Sequence, residues 1–386
     1  MIHRKLKQEL VDASSTMPIV SLTGPRQSGK TTLTRDTFPD YKYFNLENPD
    51  YRLLALNDPR SFLKEAGYQG VIIDEAQLAP DLFSYIQVIV DENKSAKYIL
   101  TGSQNFLLSK RITQSLAGRV RILNLLPLSM AELQTQGYIH QSHISYIFQG
   151  GYPRLYSTPI SPQKWLPDYI QSYLERDVRD FIKIRELTQF QTFLKLCASR
   201  IGQIFNYAEL SNVVGVSDYT IRQWLSVLEA SYIVYRLDPY FKNLGKRLIK
   251  SPKIYFYDTG LACYLLGLEK EKVSSYYQYG SLFENFIINE IMKSYTNRGE
   301  RPSLYFWRES NGTEIDLLIP KGDTLIPIEI KSSQTLRMDF FKNIKKIRNL
   351  PKASDMIEGY AIYGGDLSVT NTISWRDLQK FLLEKL

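Results

Sequence analysis

Cysteine and histidine are both scarce, with two of the first and three of the second in 386 residues. Cys197 and Cys263 lie far apart without CxxC spacing, which argues against a disulfide framework or a thiolate zinc site and reads both as small buried hydrophobes. So few histidines, scattered near the start and around position 140, leave no basis for imidazole catalysis. No apolar run approaches the length of a membrane span, and the opening Met1-Ile2-His3-Arg4-Lys5-Leu6-Lys7-Gln8-Glu9-Leu10 is too charged for a secretory signal. A cytoplasmic protein with no membrane partner is expected. What is abundant is ordinary, since 44% hydrophobic and 23% charged residues describe a packed globular chain. Its length exceeds what one core usually fills, so two or three domains are expected. A net charge of +8 favours a polyanionic partner, although basic proteins that never touch nucleic acid are common.

The sharpest local signal is Gly24-Pro25-Arg26-Gln27-Ser28-Gly29-Lys30-Thr31. It follows the apolar Ile19-Val20-Ser21-Leu22-Thr23, which reads as a buried strand, and opens a helix from Lys30 to Asp36, with Thr32 in its first turn. Glycines let such a loop wrap phosphates, and its amides and the helix N-terminus favour their charge. Lys30 then reaches the terminal phosphates, and Thr31 offers a hydroxyl to Mg2+. The loop with Thr32 therefore predicts ATP and Mg2+ as cofactors. Downstream, Gly70-Val71-Ile72-Ile73-Asp74-Glu75 is an apolar strand ending in two acids. At the carboxyl edge of a parallel sheet Asp74 would complete the magnesium environment beside Thr31, and Glu75 would polarise a water. A further strand, Tyr98-Ile99-Leu100-Thr101, runs into Gly102-Ser103-Gln104-Asn105, polar groups within reach of the attacking water.

These motifs resemble the AAA-type ATPase core over residues 1–125, an α/β P-loop NTPase fold in which an extra strand separates the P-loop strand from the acidic one. The resemblance implies Lys30 and Thr31 in Walker A, Asp74 and Glu75 in Walker B, and Ser103 or Asn105 as sensor. It also makes Arg119, in Leu116-Ala117-Gly118-Arg119-Val120-Arg121 ahead of the strand Ile122-Leu123-Asn124-Leu125, a candidate arginine finger that would act across a homo-oligomer. A solvated arginine is the other reading. Gly150-Gly151-Tyr152-Pro153-Arg154 resembles the Gly-x-Pro element of the helical lid in related switch-like ATPases, where Pro153 would abut the base; a plain Gly/Pro turn reads equally well.

Residues 126–185 turn helical and read as lid and connector, with Glu175, Arg176, Asp177, Arg179 and Asp180 as a solvated charged face. Residues 186–260 resemble a winged helix. Tyr207 to Val214 is a helix, Gly215 a turn and Ser217 a cap. The helix from Asp218 to Leu228 buries Ile221, Leu225 and Leu228, leaving Tyr219, Thr220, Arg222 and Gln223 for a major groove of duplex DNA, and Ser231 to Leu237 would be the first wing strand. Lys242, Lys246, Arg247 and Lys250 add positive charge nearby. A winged helix used for protein docking remains the alternative.

Residues 265–386 carry Glu284 near the start of an amphipathic helix, then strands holding Glu314-Ile315-Asp316 and Ile328-Glu329-Ile330-Lys331. Alternation puts Glu329 and Lys331 on one face, and a neighbouring strand can bring Asp316 beside them, which makes a site for a second Mg2+ or Mn2+. The pattern resembles the PD-(D/E)XK fold of restriction endonucleases, an α/β domain, with Glu284 as its helix acid. That resemblance implies either a metal-dependent nuclease or an inherited fold without activity. Across the chain the three parts resemble a family of bacterial and archaeal ATPases that join an AAA-type core to a winged helix and a nuclease-like domain.

Overall fold

A computed structural model describes residues 2–103, 116–174, 178, 186–240, 251–309, 312–348 and 359–386. Five strands, β1 (Ile19–Thr23), β2 (Lys42–Asn45), β3 (Gln69–Asp74), β4 (Lys97–Gly102) and β5 (Val120–Asn124), form an all-parallel sheet ordered β2-β3-β4-β1-β5. The inner strands are continuous apolar runs because helices cover both faces of a parallel sheet. Ile19, Ile73 and Leu100 pack on one face with Phe83 and Ile86 of the Leu82–Glu92 helix. Val20, Leu22, Ile72 and Ile99 pack on the other with Leu6, Leu10 and Leu33. β4 separates the P-loop strand from the acidic strand, the order expected of an AAA-type core.

Most of the remainder shares one core running from Leu126 to Leu382, with smaller clusters around Ile315 and Phe340 beside it. Residues 126–174 are helical as expected, with helices at Met130–Thr135, His143–Gln149 and Pro162–Tyr173. Three helices follow, Leu187–Ser199, Tyr207–Val214 and Asp218–Ala230. Gly215 takes a left-handed φ of 77° at the turn, and the Ser217 hydroxyl accepts from Thr220 N to cap the last of them. The ribbon expected to be a wing is different. β6 (Val234–Pro239) pairs antiparallel with β7 (Lys253–Phe256) and parallel with β8 (Tyr305–Arg308). It therefore belongs to a seven-stranded sheet with β9 (Glu314–Lys321), β10 (Thr324–Lys331), β11 (Tyr360–Tyr363) and β12 (Thr372–Ser374), ordered β12-β11-β10-β9-β8-β6-β7. A ribbon standing alone buries too little to be stable, and here Val234, Leu237, Ile254 and Phe256 sink into the shared core instead. β8, β9 and β10 form an antiparallel meander, β11 joins β10 in parallel, and the long Tyr279–Thr296 helix contacts β10. No helix of the described residues is long and apolar enough to cross a membrane.

Candidate nucleotide cleft and carboxylate cluster

The phosphate loop leaves the carboxyl end of β1 and turns back into the Lys30–Thr37 helix. Gly24 is required by packing as well as by its φ of 153°, since a Cβ there would lie 2.2 Å from the Leu125 carbonyl oxygen. Gln27 and Gly29 also take positive φ, at 59° and 95°, which curls the 24–29 backbone into a cradle. Within it the Lys30 ammonium donates to the carbonyls of Gly24 (3.0 Å) and Pro25 (2.8 Å). The Ser28 hydroxyl is buried and finds no hydrogen-bond partner among the described residues. An orphaned donor inside a cradle headed by a helix N-terminus fits a bound phosphate.

Asp74 stands where the reading of β3 put it. Its Oδ2 accepts from the Thr31 hydroxyl at 2.7 Å, so the two proposed magnesium ligands meet. Sequence reasoning missed two further donors to this carboxylate, the Tyr43 hydroxyl at 2.7 Å and the Thr101 hydroxyl. β2 and β4 flank β3 and so bring these side chains to it; only the sheet order reveals that. Burial and the Asp74 bond raise the Tyr43 phenol above its ordinary pKa, which keeps it a donor. Glu75 adopts a left-handed backbone, φ 53°, uncommon for this residue type and frequent at functional turns. Its Oε2 accepts from Gln77 Nε2 (2.5 Å), the Ser103 hydroxyl (3.1 Å) and Ser103 N (3.3 Å). Ser103, the proposed sensor, thus touches the proposed base; Gln104 and Asn105 lie outside the described residues.

Above the loop opens a cleft of about 540 Å³ whose walls include Arg26, Gln27, Lys30, Thr31, Thr32 and Glu75, and facing them Pro153 and Arg154. A second hollow of about 330 Å³ continues past Gly29, Thr32 and Pro153 to Ile2 and His3. Pro153 borders both. The turn behind it is fixed by Asp258, whose Oδ2 accepts from Gly151 N at 2.7 Å; a Cβ at Gly150 would lie 2.3 Å from Asp258 Oδ1. Arg154 is an exposed residue of the cleft that the sequence reading left without a role. Arg119 is elsewhere. It precedes β5, at the opposite end of the sheet from the loop that follows β1, and is paired with Asp91 through Nε (2.5 Å) and Nη2 (2.9 Å). Five residues of strand, about 16 Å, separate it from its own cleft.

The C-terminal acids form a second cluster. Asp316 Oδ2 accepts from Lys331 Nζ (3.1 Å) and Ile330 N (2.7 Å), and Lys331 also pairs with Glu329, so the predicted trio converges. Glu284 does not join that trio directly. Its Oε1 accepts from Tyr255 and from Lys253, whose Nζ is 3.2 Å away and 2.5 Å from Glu314 Oε1. Burial drives Glu329 up to about 8, and the charge of Asp316 adds to it. Burial likewise pushes Glu284 up to about 7, against the pull of Lys253. Burial would raise Asp316 as well, but Lys331 and then Lys253 hold its carboxyl below the usual range. Among the described residues no three carboxylate, imidazole or thiolate groups are disposed to hold a metal ion. The arrangement the sequence suggested for Glu284, Asp316 and Glu329 is interleaved with ammonium groups, and as it stands does not fit a metal. Glu175, Arg176, Asp177, Arg179, Asp180, Lys242, Lys246, Arg247 and Lys250 lie outside the described residues.

A parallel sheet with a phosphate cradle, a Thr31–Asp74 pair and an adjacent acid defines a P-loop ATPase domain of the AAA type. The family model described as an AAA domain matches residues 16–134, and two described as domains of unknown function (DUF8612 and DUF4143) match residues 140–272 and 279–376. The uncharacterized protein Rv2008c of Mycobacterium tuberculosis is 34% identical over 328 residues, 82% of this chain and 71% of that one. An uncharacterized protein of Haemophilus influenzae is 23% identical over 355 residues, 84% of each chain. Among solved structures, the Walker-type ATPase PABY2304 of Pyrococcus abyssi is 15% identical, covering 69% of this chain and 96% of that one at a TM-score of 0.47. The chain belongs to the family of the mycobacterial protein, with an AAA domain at its N-terminal end.

Proposed function

We propose that this protein is a magnesium-dependent ATPase that works on duplex DNA. The observation that carries the first half is the 2.7 Å bond from Thr31 to Asp74 beside the cradled Lys30, with Glu75 next in the chain. Thr31 and Asp74 would hold Mg2+, which when bound neutralises charge on the terminal phosphates. Lys30 turns from the loop carbonyls to those phosphates. Glu75 accepts the proton of the attacking water, with Gln77 and Ser103 fixing its carboxylate through one oxygen. Pro153 and the Ile2–His3 segment close around the base. Support for the DNA half is the Asp218–Ala230 helix, which offers Tyr219, 71% exposed, with Arg222 and Gln223 on an outward face behind a capped glycine turn. The chain's positive charge agrees with it. ATP turnover by the purified protein, with and without duplex DNA, in Mg2+ and then Mn2+, tests both halves. Turnover stimulated by DNA is expected; turnover indifferent to it overturns the DNA half alone.

A second reading, a nucleotide-dependent switch that cuts nothing, is favoured for the C-terminal part by one observation. Lys253, which is no part of the nuclease-like pattern, already pairs with Glu284, the helix acid that a nuclease would use. Following the DNA for cleavage in the same assay separates the two, since intact DNA under turnover supports the switch and cutting that Asp316→Ala abolishes supports a nuclease.

A further inference from the structure

Lys253 opens β7 at the edge of the seven-stranded sheet, in the ribbon that follows the helix-turn-helix pair. It is 2% exposed, a rare state for a lysine and one that demands compensation. Its ammonium lies 3.2 Å from Glu284 Oε1 and 2.5 Å from Glu314 Oε1, and 5.4 Å from the centre of the Phe306 ring. Its charge also reaches Asp316. Two acids from two elements, Glu284 of the Tyr279–Thr296 helix and Glu314 of β9, thus pair with one cation that a third element supplies, and Asp316, two residues along β9 from Glu314, is within reach of its charge. Carboxylates gathered in a buried place repel one another unless a positive charge stands among them, and a divalent metal is the usual occupant. Here that position is filled by a side chain of the same molecule.

We propose that Lys253 is a tethered counter-cation that takes the place of a divalent metal among Glu284, Glu314 and Asp316, so that this cluster holds no metal while β7 is docked. Lys331 neutralises the Asp316–Glu329 side in the same way, and Arg308 pairs with Glu314 at 3.0 Å. A free ion must displace an ammonium that pays no entropy of association, since the fold holds it in position. Metal entry therefore requires the ribbon to withdraw, which ties the cluster to the helix-turn-helix layer through β6 and β7. The inference deepens the second reading above and rests on it, yet fails separately: DNA cleavage overturns that reading, whereas metal stoichiometry judges Lys253.

The test is Mn2+ titration of the nucleotide-free full chain, by calorimetry and by the paramagnetic signal of free Mn2+, on wild type, Asp316→Asn and Lys253→Met. Sites at Thr31 and Asp74 are common to all three and cancel. Wild type and Asp316→Asn are expected to bind equal amounts of Mn2+. Lys253→Met is expected to gain one site, which Lys253→Met/Asp316→Asn loses again, and its thermal midpoint rises with Mn2+ while that of wild type shows no such added rise. A wild-type site removed by Asp316→Asn overturns the proposal, as does a folded Lys253→Met that gains none. Should Lys253→Met fail to fold, the comparison of wild type with Asp316→Asn still decides.

Discussion

The hydroxyl of Tyr232 lies 2.7 Å from that of Thr23, the residue immediately before the phosphate loop, and 3.0 Å from Asn124 Oδ1 at the end of β5. Tyr232 follows the helix-turn-helix pair and has a left-handed φ of 57°, so a strained residue of one layer is bonded to the root of the loop in another. From Tyr232 ring contacts run through Tyr257 (5.4 Å) to Tyr235 (4.9 Å), whose hydroxyl bonds Asn289 at 2.9 Å. The far side of the loop is tied down too. Arg4 donates to the Ser28 carbonyl (2.6 Å) and to Glu132 (2.9 Å), beside Met130, whose N donates to Glu290 (2.7 Å). Both flanks of the loop thus lead to successive residues of the Tyr279–Thr296 helix, which carries Glu284.

A physical connection of this kind predicts coupling, which only measurement demonstrates. Amide exchange in the Tyr279–Thr296 helix is expected to slow when a non-hydrolysable ATP analogue binds. Tyr232→Phe leaves Thr23 bonded to Asn124, costs about 1 kcal/mol of stability, and is expected to shrink that nucleotide effect. An equal effect in both proteins would show that the tyrosine carries no coupling.

Within the cleft, Lys30 and Glu75 are expected to separate binding from chemistry. Lys30→Ala removes the ammonium aimed at the phosphates and abolishes nucleotide binding or turnover. Glu75→Gln keeps shape and hydrogen bonding but removes the base, so it retains ATP and loses turnover by about a hundredfold or more. Equilibrium binding of a fluorescent ATP analogue, set beside phosphate release, distinguishes them. Normal turnover in the glutamine variant would move the base to another residue.

The nucleotide cleft was legible because its motifs are local. Gly24 to Thr31 is one uninterrupted stretch, and Asp74–Glu75 ends one strand, so spacing alone carried the chemistry. Tyr43 and Thr101 were not legible, since what makes them partners of Asp74 is sheet order, a relation between strands that no single segment records. The same holds at the other end. Strand alternation brought Glu329 and Lys331 to one face and Asp316 beside them. Lys253 reaches the cluster only because β6 pairs in parallel with β8, and a parallel pairing leaves no hairpin signal in the sequence. The wing misled for that reason: Ser231 to Leu237 reads as the first strand of a local wing, while β8, the parallel neighbour of β6, lies some seventy residues away.

Acid is expected to loosen the packing of residues 143–149 against the Tyr279–Thr296 helix and Trp375. His143 is enclosed by Phe283 and Trp375 and bonded to the Tyr279 hydroxyl. Burial lowers its pKa from 6.5 to about 4, with Asp366 opposing the shift and Arg376 adding to it. A base whose pKa is depressed by folding takes up protons more readily when unfolded, so its contribution is complete above about pH 6.5 and is lost as pH falls towards 4. The full effect is on the order of 3 kcal/mol. His143→Phe keeps a ring there but cannot charge. Its thermal midpoint is expected to fall less steeply than that of wild type between pH 6.5 and 4, and parallel curves would place the acid sensitivity in other groups.

Arg119 poses a question of assembly. About 16 Å of β5 keeps it from its own cleft, and Asp91 holds it from two sides. As an arginine finger it must therefore serve a neighbouring copy, releasing Asp91 to do so. Mixing experiments read this directly. Arg119→Ala has an intact base but donates no guanidinium, whereas Glu75→Gln has no base but keeps Arg119. Each alone is expected to be nearly inactive. Mixed in equal amounts they form pairs in which the arginine of one chain meets the intact cleft of the other, and phosphate release is expected to recover to a substantial fraction of the wild-type rate. Turnover per chain should also rise with protein concentration until assembly saturates. If Arg119→Ala instead hydrolyses ATP at the wild-type rate at every concentration, the residue is a surface partner of Asp91 and the ATPase needs no second copy of itself.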